Sequence, residues 1–306
     1  MTEHASLRLS LGPLQYYWPR QQTLDFYDEI ADSPVDVVYL GETVCAKRRQ
    51  LDFDDWLALA EMLHEAGKEV VLSTLALVEA ASELGAMRRL CENGHFRVEA
   101  NDMAAVQMLA GKAGFIGGPS LNIYNTRALR KLAGLGLERW VMPVELSRET
   151  LAEFREDMPA GVESEIFGWG RLPLAYSARC YTARAHDRPK DDCEFRCIDY
   201  PDGLLLSTRE EQPFLVINGI QTQSARCHNL ARFLPEIEAG IVRISPQSRH
   251  TARIIGLFDA CRGGAMSPEA ADQKLDALLP TGSCDGYWLG EAGMARDTTA
   301  CGGCGG

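Results

Sequence analysis

The sequence lacks the features that mark two large classes of protein. It has no basic patch or run of lysine and arginine that suits a nucleic-acid backbone, and its 31 basic residues are outnumbered by 43 acidic ones, so the formal net charge is −12. Because a nucleic-acid backbone attracts basic patches, we expect no nucleic-acid partner. No apolar run approaches the ~20 residues that span a bilayer, so we expect a chain that does not cross a membrane.

Targeting and catalytic signatures are also missing. The opening MTEHASLRLSLGPLQYYWP has no charged segment followed by a long apolar core, so we expect no secretory signal and a cytoplasmic protein. The chain contains neither H-E-x-x-H nor G-x-S-x-G, and no G-x-G-x-x-G follows the first predicted strand. These absences argue against common hydrolase sites and weaken the case for a dinucleotide-binding fold.

Cysteine, by contrast, is abundant, with ten residues. In a cytoplasmic chain, cysteines are more often reduced or metal-binding than paired as disulfides. Cys180, Cys193 and Cys197 lie in a C-x12-C-x3-C pattern within a segment rich in Arg, Lys, Asp and Pro, which suits a packed core poorly. We therefore hypothesise that these three thiols converge on a metal ion or an iron–sulfur cluster.

A [4Fe–4S] cluster takes four thiolates, so a fourth cysteine is needed. Cys45 is the strongest candidate because it follows a predicted strand and precedes the cations Lys47, Arg48 and Arg49, which favour thiolate forms. Cys45 could instead be an ordinary buried thiol, and four cysteines also suit zinc. The weaker candidates for a ligand are two cysteines in a Gly-rich tail and two histidines: Cys301, Cys304, His186 and His228.

The fold is predicted from about eight alternating strand-like and helix-like segments. This pattern favours an α/β fold of the (β/α)8 TIM-like barrel type, with a cysteine-bearing insertion after the seventh strand, over a doubly wound sheet. We expect one domain at 1–290, which includes the cysteine loop 170–212, and a disordered Gly/Cys tail at 291–306. Helices are predicted at 75–92 and 230–239, and a β-like piece at 195–200. Because function gathers at the carboxyl ends of barrel strands, Glu42, Asp102 and Glu145 could line a pocket or simply cap helices.

Three stretches of sequence resemble a known family. LPLAYSARCYTAR (172–184), with the later C-x3-C, resembles the loop of the collagenase-like peptidase family, peptidase U-thirty-two. VDVVYLGETVCAKRR (35–49) and NGIQTQS (218–224) are similar to the branch of that family that acts in oxygen-independent ubiquinone biosynthesis. The similarity runs through most of the chain.

The resemblance implies a [4Fe–4S] cluster on Cys45, Cys180, Cys193 and Cys197. It also implies a heterodimer with a UbiU-type sister protein of the same family, and a part in hydroxylating the ubiquinone ring precursor without O2. The chain would then be a subunit of an anaerobic hydroxylase complex, with electron transfer as the role of the cluster. A lipid-binding protein of the sterol-carrier type would present the ubiquinone precursor.

Two departures from the peptidase pattern argue against proteolysis. The peptidases carry His-Gly and then Cys before the Tyr-Ser pair, whereas this chain has Trp169-Gly170 and Pro173. Cys45 stands in for the missing cluster ligand in this resemblance. The alternatives are a family-type peptidase, which would need an activated nucleophile or metal-bound water, and a non-catalytic partner subunit in which zinc staples the loop.

Overall fold

The computed structural model describes residues 7–297. Its strands, in chain order, are β1 (Arg8–Leu11), β2 (Val37–Leu40), β3 (Glu69–Ser73), β4 (Arg97–Ala100), β5 (Phe115–Gly117), β6 (Leu137–Val141), β7 (Glu163–Tyr176), β8 (Leu204–Ser207), β9 (Pro213–Asn218), β10 (Gln221–Asn229), β11 (Ile241–Ile244) and β12 (Ser283–Cys284). The α-helices are α1 (Arg20–Ala31), α2 (Phe53–Glu65), α3 (Ala81–Cys91), α4 (Met103–Leu109), α5 (Thr126–Ala133), α6 (Arg148–Glu156), α7 (Tyr181–Ala185), α8 (Thr251–Arg262) and α9 (Pro268–Asp276).

The predicted (β/α)8 barrel is confirmed. Strands β1 to β7 pair in parallel in sequence order, and β11 closes the ring because it pairs in parallel with both β7 and β1. Successive side chains of a strand point to opposite faces. In β2, Val37 and Tyr39 belong to the small apolar cluster inside the barrel, whereas Val38 and Leu40 belong to the large core under the helices. The all-apolar sequence of β2 follows from burial on both faces.

A network of charges fills the rest of the barrel interior. Glu165 of β7 accepts hydrogen bonds from Arg243 Nε at 2.6 Å and from Ser10 Oγ at 2.7 Å, and it also accepts one from the Tyr39 hydroxyl. The second carboxylate on Arg243 is Glu99, whose Oε1 lies 2.8 Å from Nη1. Buried charges persist only where such partners satisfy them.

The cysteine insertion begins where β7 leaves the barrel. This strand continues to Tyr176 and pairs antiparallel with β10, to which β9 and then β8 are added. The sheet therefore extends beyond the barrel at its carboxyl-end face, and the cysteine loop lies between β7 and β8. None of the helices within residues 7–297 is long and apolar enough to cross a membrane.

Three predicted elements differ from the structure. The helix predicted at 75–92 begins only at Ala81, because Ala76 N–H is taken by the carbonyl of Thr43 at 2.9 Å. The helix predicted at 230–239 is a 3-10 helix, Ala231–Glu236, that contains Pro235, which cannot donate a backbone hydrogen bond. The β-like piece at 195–200 is another 3-10 helix, Arg196–Asp199, preceded by Phe195 in a left-handed conformation (φ 52°).

Part of the predicted disordered tail packs on the barrel. Arg296 pairs with Asp272 and, at 2.9 Å, with buried Asp285. The backbone N–H of Asp285 also bonds to the carbonyl of Ala295 at 3.0 Å. Residues 291–297 are therefore held against the body of the protein. The rest of the predicted tail, with Cys301 and Cys304, lies outside the described residues.

Candidate functional site

Three of the four thiols chosen from the sequence lie around one apolar cluster at the carboxyl-end face of the barrel. Buried Cys180 packs with Val44 and Ile220, and half-buried Cys45 and Cys193 contact the same cluster. Cys45 and Cys180 are near enough for the charge of one thiolate to act on the other, and Cys180 is likewise near Cys197. The fold therefore brings together sulfurs from segments about 140 residues apart in the sequence.

Cys45 sits in a turn that one carboxylate holds in shape. Glu42 Oε1 accepts hydrogen bonds from the backbone N–H groups of Val44 at 2.8 Å and Cys45 at 3.0 Å. The turn continues with a bond of 3.0 Å from Arg48 N–H to the Cys45 carbonyl. Glu42 therefore acts on the shape of the turn, which orients the Cys45 thiol.

Cys180 is fixed by the start of a short helix and by the β9–β10 turn. Its sulfur caps α7 by accepting the N–H of Ala183 at 3.4 Å. The carbonyl of Gly219 accepts the N–H of Tyr181 at 2.8 Å, and Gly219 N–H bonds to Thr182 Oγ1 at 2.9 Å. Gly219 has φ +65°, and a Cβ there would lie 3.0 Å from Arg48 Nη2. Glycine is thus needed for both the turn and the close approach of Arg48.

Two lysines tie the loop that carries Cys193 to earlier parts of the barrel. Lys47 Nζ donates to the Lys190 carbonyl at 3.0 Å and to Asp191 Oδ1 at 2.9 Å. Lys190 in turn pairs with Glu79, which precedes α3. These contacts bring the segment of Cys193 against the segment of Cys45, and both thiols lie near the Lys47 ammonium.

Arg48 places a buried positive charge beside the thiols. Its side chain is 1% exposed, and its Nη1 and Nη2 donate to the Gln15 carbonyl and to Asn218 Oδ1, each at 2.6 Å. The charge of its guanidinium acts on the Cys197 thiol, and its Nη1 lies 3.6 Å from Glu42 Oε1. Among the described residues, Arg48 Nε has no hydrogen-bond partner. Arg48 is therefore the buried cation beside the thiols, whereas Arg49 is exposed.

In the protein without a metal, burial raises the pKa of two of these thiols, those of Cys45 and Cys197. It raises the pKa of Cys45 to about 11, against the lowering effects of the Lys47 N–H and the Arg48 charge. Burial also raises the pKa of Cys197, and Arg48 again opposes the shift. A metal centre requires thiolates, so its binding would release protons from these groups.

Cys45, Cys180, Cys193 and Cys197 are the residues whose sulfurs could serve as donors to a thiolate-bound centre. The four sulfurs are free thiols rather than disulfides, three of them pack on one apolar cluster, and a buried arginine offsets negative charge beside them. In residues 7–297 as positioned, no three or more His, Cys, Asp or Glu side chains form a group that could hold a metal ion.

The two candidate histidines lie outside this group. His186 Nε2 hydrogen-bonds Tyr200 at 3.0 Å. His228 is buried on β10, and burial lowers its pKa to about 3, so its imidazole is neutral at pH 7. Because neighbouring residues of a strand face opposite sides, His228 does not face the thiol of Cys227.

The acidic residues at the strand ends have separate roles. Asp102 caps α4 by accepting the N–H of Ala104 at 2.7 Å, and Glu42 holds the Cys45 turn. Glu145 lines an open pocket together with Tyr176 and Ser120. Sequence reasoning missed Tyr176 and Ser120 as site residues, because the pocket is built from several loops whose proximity no local motif records.

Comparison with solved structures gives distant likenesses over most of the chain. The U32 peptidase Mk0906 is 12% identical, with a TM-score of 0.45 over 81% of this chain and 96% of that chain. Tryptophan synthase from M. tuberculosis is 12% identical, with a TM-score of 0.41 over 87% and 92%. Dihydropteroate synthase from Thermus thermophilus is 12% identical, with a TM-score of 0.37 over 83% and 94%.

The family comparison is more specific. A model of peptidase family U32 matches residues 22–213, which contain Cys45 and all three cysteines of the loop. The match covers more than half of the sequence and includes the barrel strands β2 to β7. The chain therefore belongs to peptidase family U32.

Proposed function

We propose that this protein is a UbiV-type iron–sulfur subunit for O2-independent hydroxylation in ubiquinone biosynthesis, acting in a heterodimer with a UbiU-type sister protein. The observation that carries the proposal is the approach of Cys45 to the loop of Cys180, Cys193 and Cys197 beside buried Arg48. The resemblance of residues 35–49 and 218–224 to that branch of the family supports it, because both segments contact this site.

Cys45, Cys180, Cys193 and Cys197 would hold the cluster. A [4Fe–4S] cluster with four thiolate ligands supplies one-electron transfer, at a potential that nearby charge and hydrogen bonds to sulfur adjust. Within this chain, Glu42 and the β9–β10 turn orient the thiols, and Arg48 offsets their negative charge. A sterol-carrier-type protein would deliver the ubiquinone precursor to the complex.

The metal content of the purified protein tests this proposal. Protein prepared without oxygen should be brown, with about four iron atoms per chain and an EPR signal on reduction, as the cubane requires. Removal of iron with a chelator should abolish hydroxylation by the reconstituted heterodimer, and reconstitution should restore it. A colourless protein loaded with zinc that still supports hydroxylation would contradict the proposal and favour the zinc-stapled subunit.

Replacing Arg48 with glutamine should lower the reduction potential of the centre by tens of millivolts. Reduction adds negative charge, and the variant loses the buried cation that stabilises it. Potentiometric titration followed by EPR measures the change. Arg49→Gln, in the same segment but exposed, is the matched control and should leave the potential unchanged. Equal reduction potentials in the wild-type and Arg48→Gln proteins would show that Arg48 does not stabilise the reduced centre.

A further inference from the structure

An open pocket of about 220 Å³ lies on the carboxyl-end face of the barrel. It is formed by the segments that follow β3, β5 and β6 together with the outer part of β7. The residues that matter for its chemistry are Ser120, Asn122, Glu145, Pro173, Ala175 and Tyr176. Pro173 stands where the peptidase pattern has a cysteine, so this wall is apolar in the present chain.

The pocket is large enough for one aromatic ring with substituents. A cavity of ~150 Å³ takes up benzene, so about 220 Å³ accommodates a substituted ring. Pro173, Leu174 and Ala175 form an apolar side, and its opening to solvent leaves room for a longer substituent.

The polar groups of the pocket carry no positive charge, and its one carboxylate belongs to the exposed residue Glu145. None of its lining residues, all within the described chain, is Lys, Arg or His. Glu145 contributes a carboxylate, and its Oε2 accepts a hydrogen bond from the Tyr124 hydroxyl at 3.1 Å. A carboxylate accepts hydrogen bonds but repels a second carboxylate, so the lining favours an uncharged ligand that donates an O–H.

Tyr176 connects the pocket to the thiols. Its ring packs against the apolar cluster that contains Cys45, Cys180 and Cys193, and it also lines the pocket. Its hydroxyl accepts a hydrogen bond from Gln221 Nε2 at 2.8 Å, which fixes the ring. A ring bound in the pocket would therefore lie one side chain away from the thiol group.

We propose that this pocket binds the aromatic ring of an uncharged phenol, and that it prefers a phenol to the corresponding benzoate. The identification of that phenol with the hydroxylation substrate rests on the proposed function, whereas the binding preference does not. Glu145 accepts the phenol O–H, the Pro173 side packs against the ring, and Tyr176 separates the ring from the thiols.

The test compares two probes that differ in one group, 2-methylphenol and 2-methylbenzoate. Binding to the purified full chain is measured by calorimetry or by saturation-transfer NMR. The wild-type protein should bind 2-methylphenol and should bind 2-methylbenzoate at least about tenfold more weakly, as one charge-assisted hydrogen bond implies. Tighter binding of the benzoate would overturn the proposal.

Variants show whether binding occurs in this pocket. Ala175→Phe, at an exposed position on the pocket wall, fills the space and should abolish phenol binding. Glu145→Gln should weaken phenol binding about tenfold and reduce the discrimination against the benzoate. Glu149→Gln, an exposed acid on the neighbouring helix α6, should change neither. Unchanged phenol binding in both Ala175→Phe and Glu145→Gln would refute the assignment, even if one variant were less stable.

Iron content measured on the same samples separates the two proposals. If the protein contains no iron but the pocket variants weaken phenol binding, the proposed function is contradicted and the pocket proposal stands. If the protein contains iron but the variants do not change phenol binding, the cluster proposal stands and the pocket proposal is refuted.

Discussion

Replacing Cys45 with serine is expected to remove most of the iron from the anaerobically prepared protein, together with its colour and its activity in the hydroxylase complex. Serine is a poor ligand for this centre, and a cubane holds best on four thiolates. Cys45 is the most informative position because it comes from the β2–α2 segment, far in sequence from the loop cysteines. Cys180→Ser should give the same loss.

The matched control is Cys261→Ser. Cys261 is a buried cysteine on α8, in the large core and away from the four thiols. The Cys261→Ser protein should retain about four iron atoms per chain, which is the stoichiometry of the cubane. Circular dichroism on all three variants separates loss of the centre from loss of the fold. If Cys180→Ser lost its iron while Cys45→Ser kept it, the fourth ligand would not be Cys45.

The second large effect is expected on stability. Replacing Glu165 with glutamine should lower the free energy of unfolding by about 3 kcal/mol, because buried Arg243 and Arg139 then share one buried negative charge fewer, although Glu99 still pairs with Arg243. The side chains of Glu165 and Arg243 are 0% and 4% exposed, so water cannot replace the lost contact. Urea denaturation of the wild-type and variant proteins measures the difference.

The same carboxylate gives a pH dependence. Burial alone would raise the pKa of Glu165, but Arg243 and Arg139 outweigh it and hold the pKa below its ordinary value of 4.5. The folded chain therefore binds this proton less tightly than the unfolded chain. The stabilisation is fully present above pH 4.5 and is lost as the pH falls through the lower folded pKa.

The variant and a control test this dependence. Glu165→Gln should show a smaller loss of stability than the wild type as the pH falls below 4.5. Glu61→Gln, on the exposed side of α2, should match the wild type in both experiments. A cost below about 1 kcal/mol for Glu165→Gln, the range of exposed ion pairs, would mean that the network contributes little.

The barrel could be predicted from the sequence because its signals are local. All-apolar strands such as Val37–Leu40 are buried on both faces, and the alternation of strands with amphipathic segments identifies the parallel barrel. Where tertiary contacts compete with local preference, prediction failed, as at 75–80, where the backbone bonds to the Cys45 turn instead of forming helix.

The candidate site was predictable only in part. The cysteine spacing identifies the loop, and the position of Cys45 at a strand end places it on the same face. Arg48 and Arg49 look alike in the sequence, yet only Arg48 is buried beside the thiols. The pocket has no sequence motif, because Ser120, Glu145 and Tyr176 come from three separate segments.

The sequence alone determined the α/β barrel and the choice of four candidate cysteines, because strand burial, periodicity and residue spacing are properties of short segments, and it determined the family through its resemblance to known members. Only the tertiary structure decided which cation lies against the thiols, which carboxylates neutralise Arg243 inside the barrel, and which side chains share the pocket. Those relations join residues far apart in the chain, and closure of the barrel is what brings them into contact.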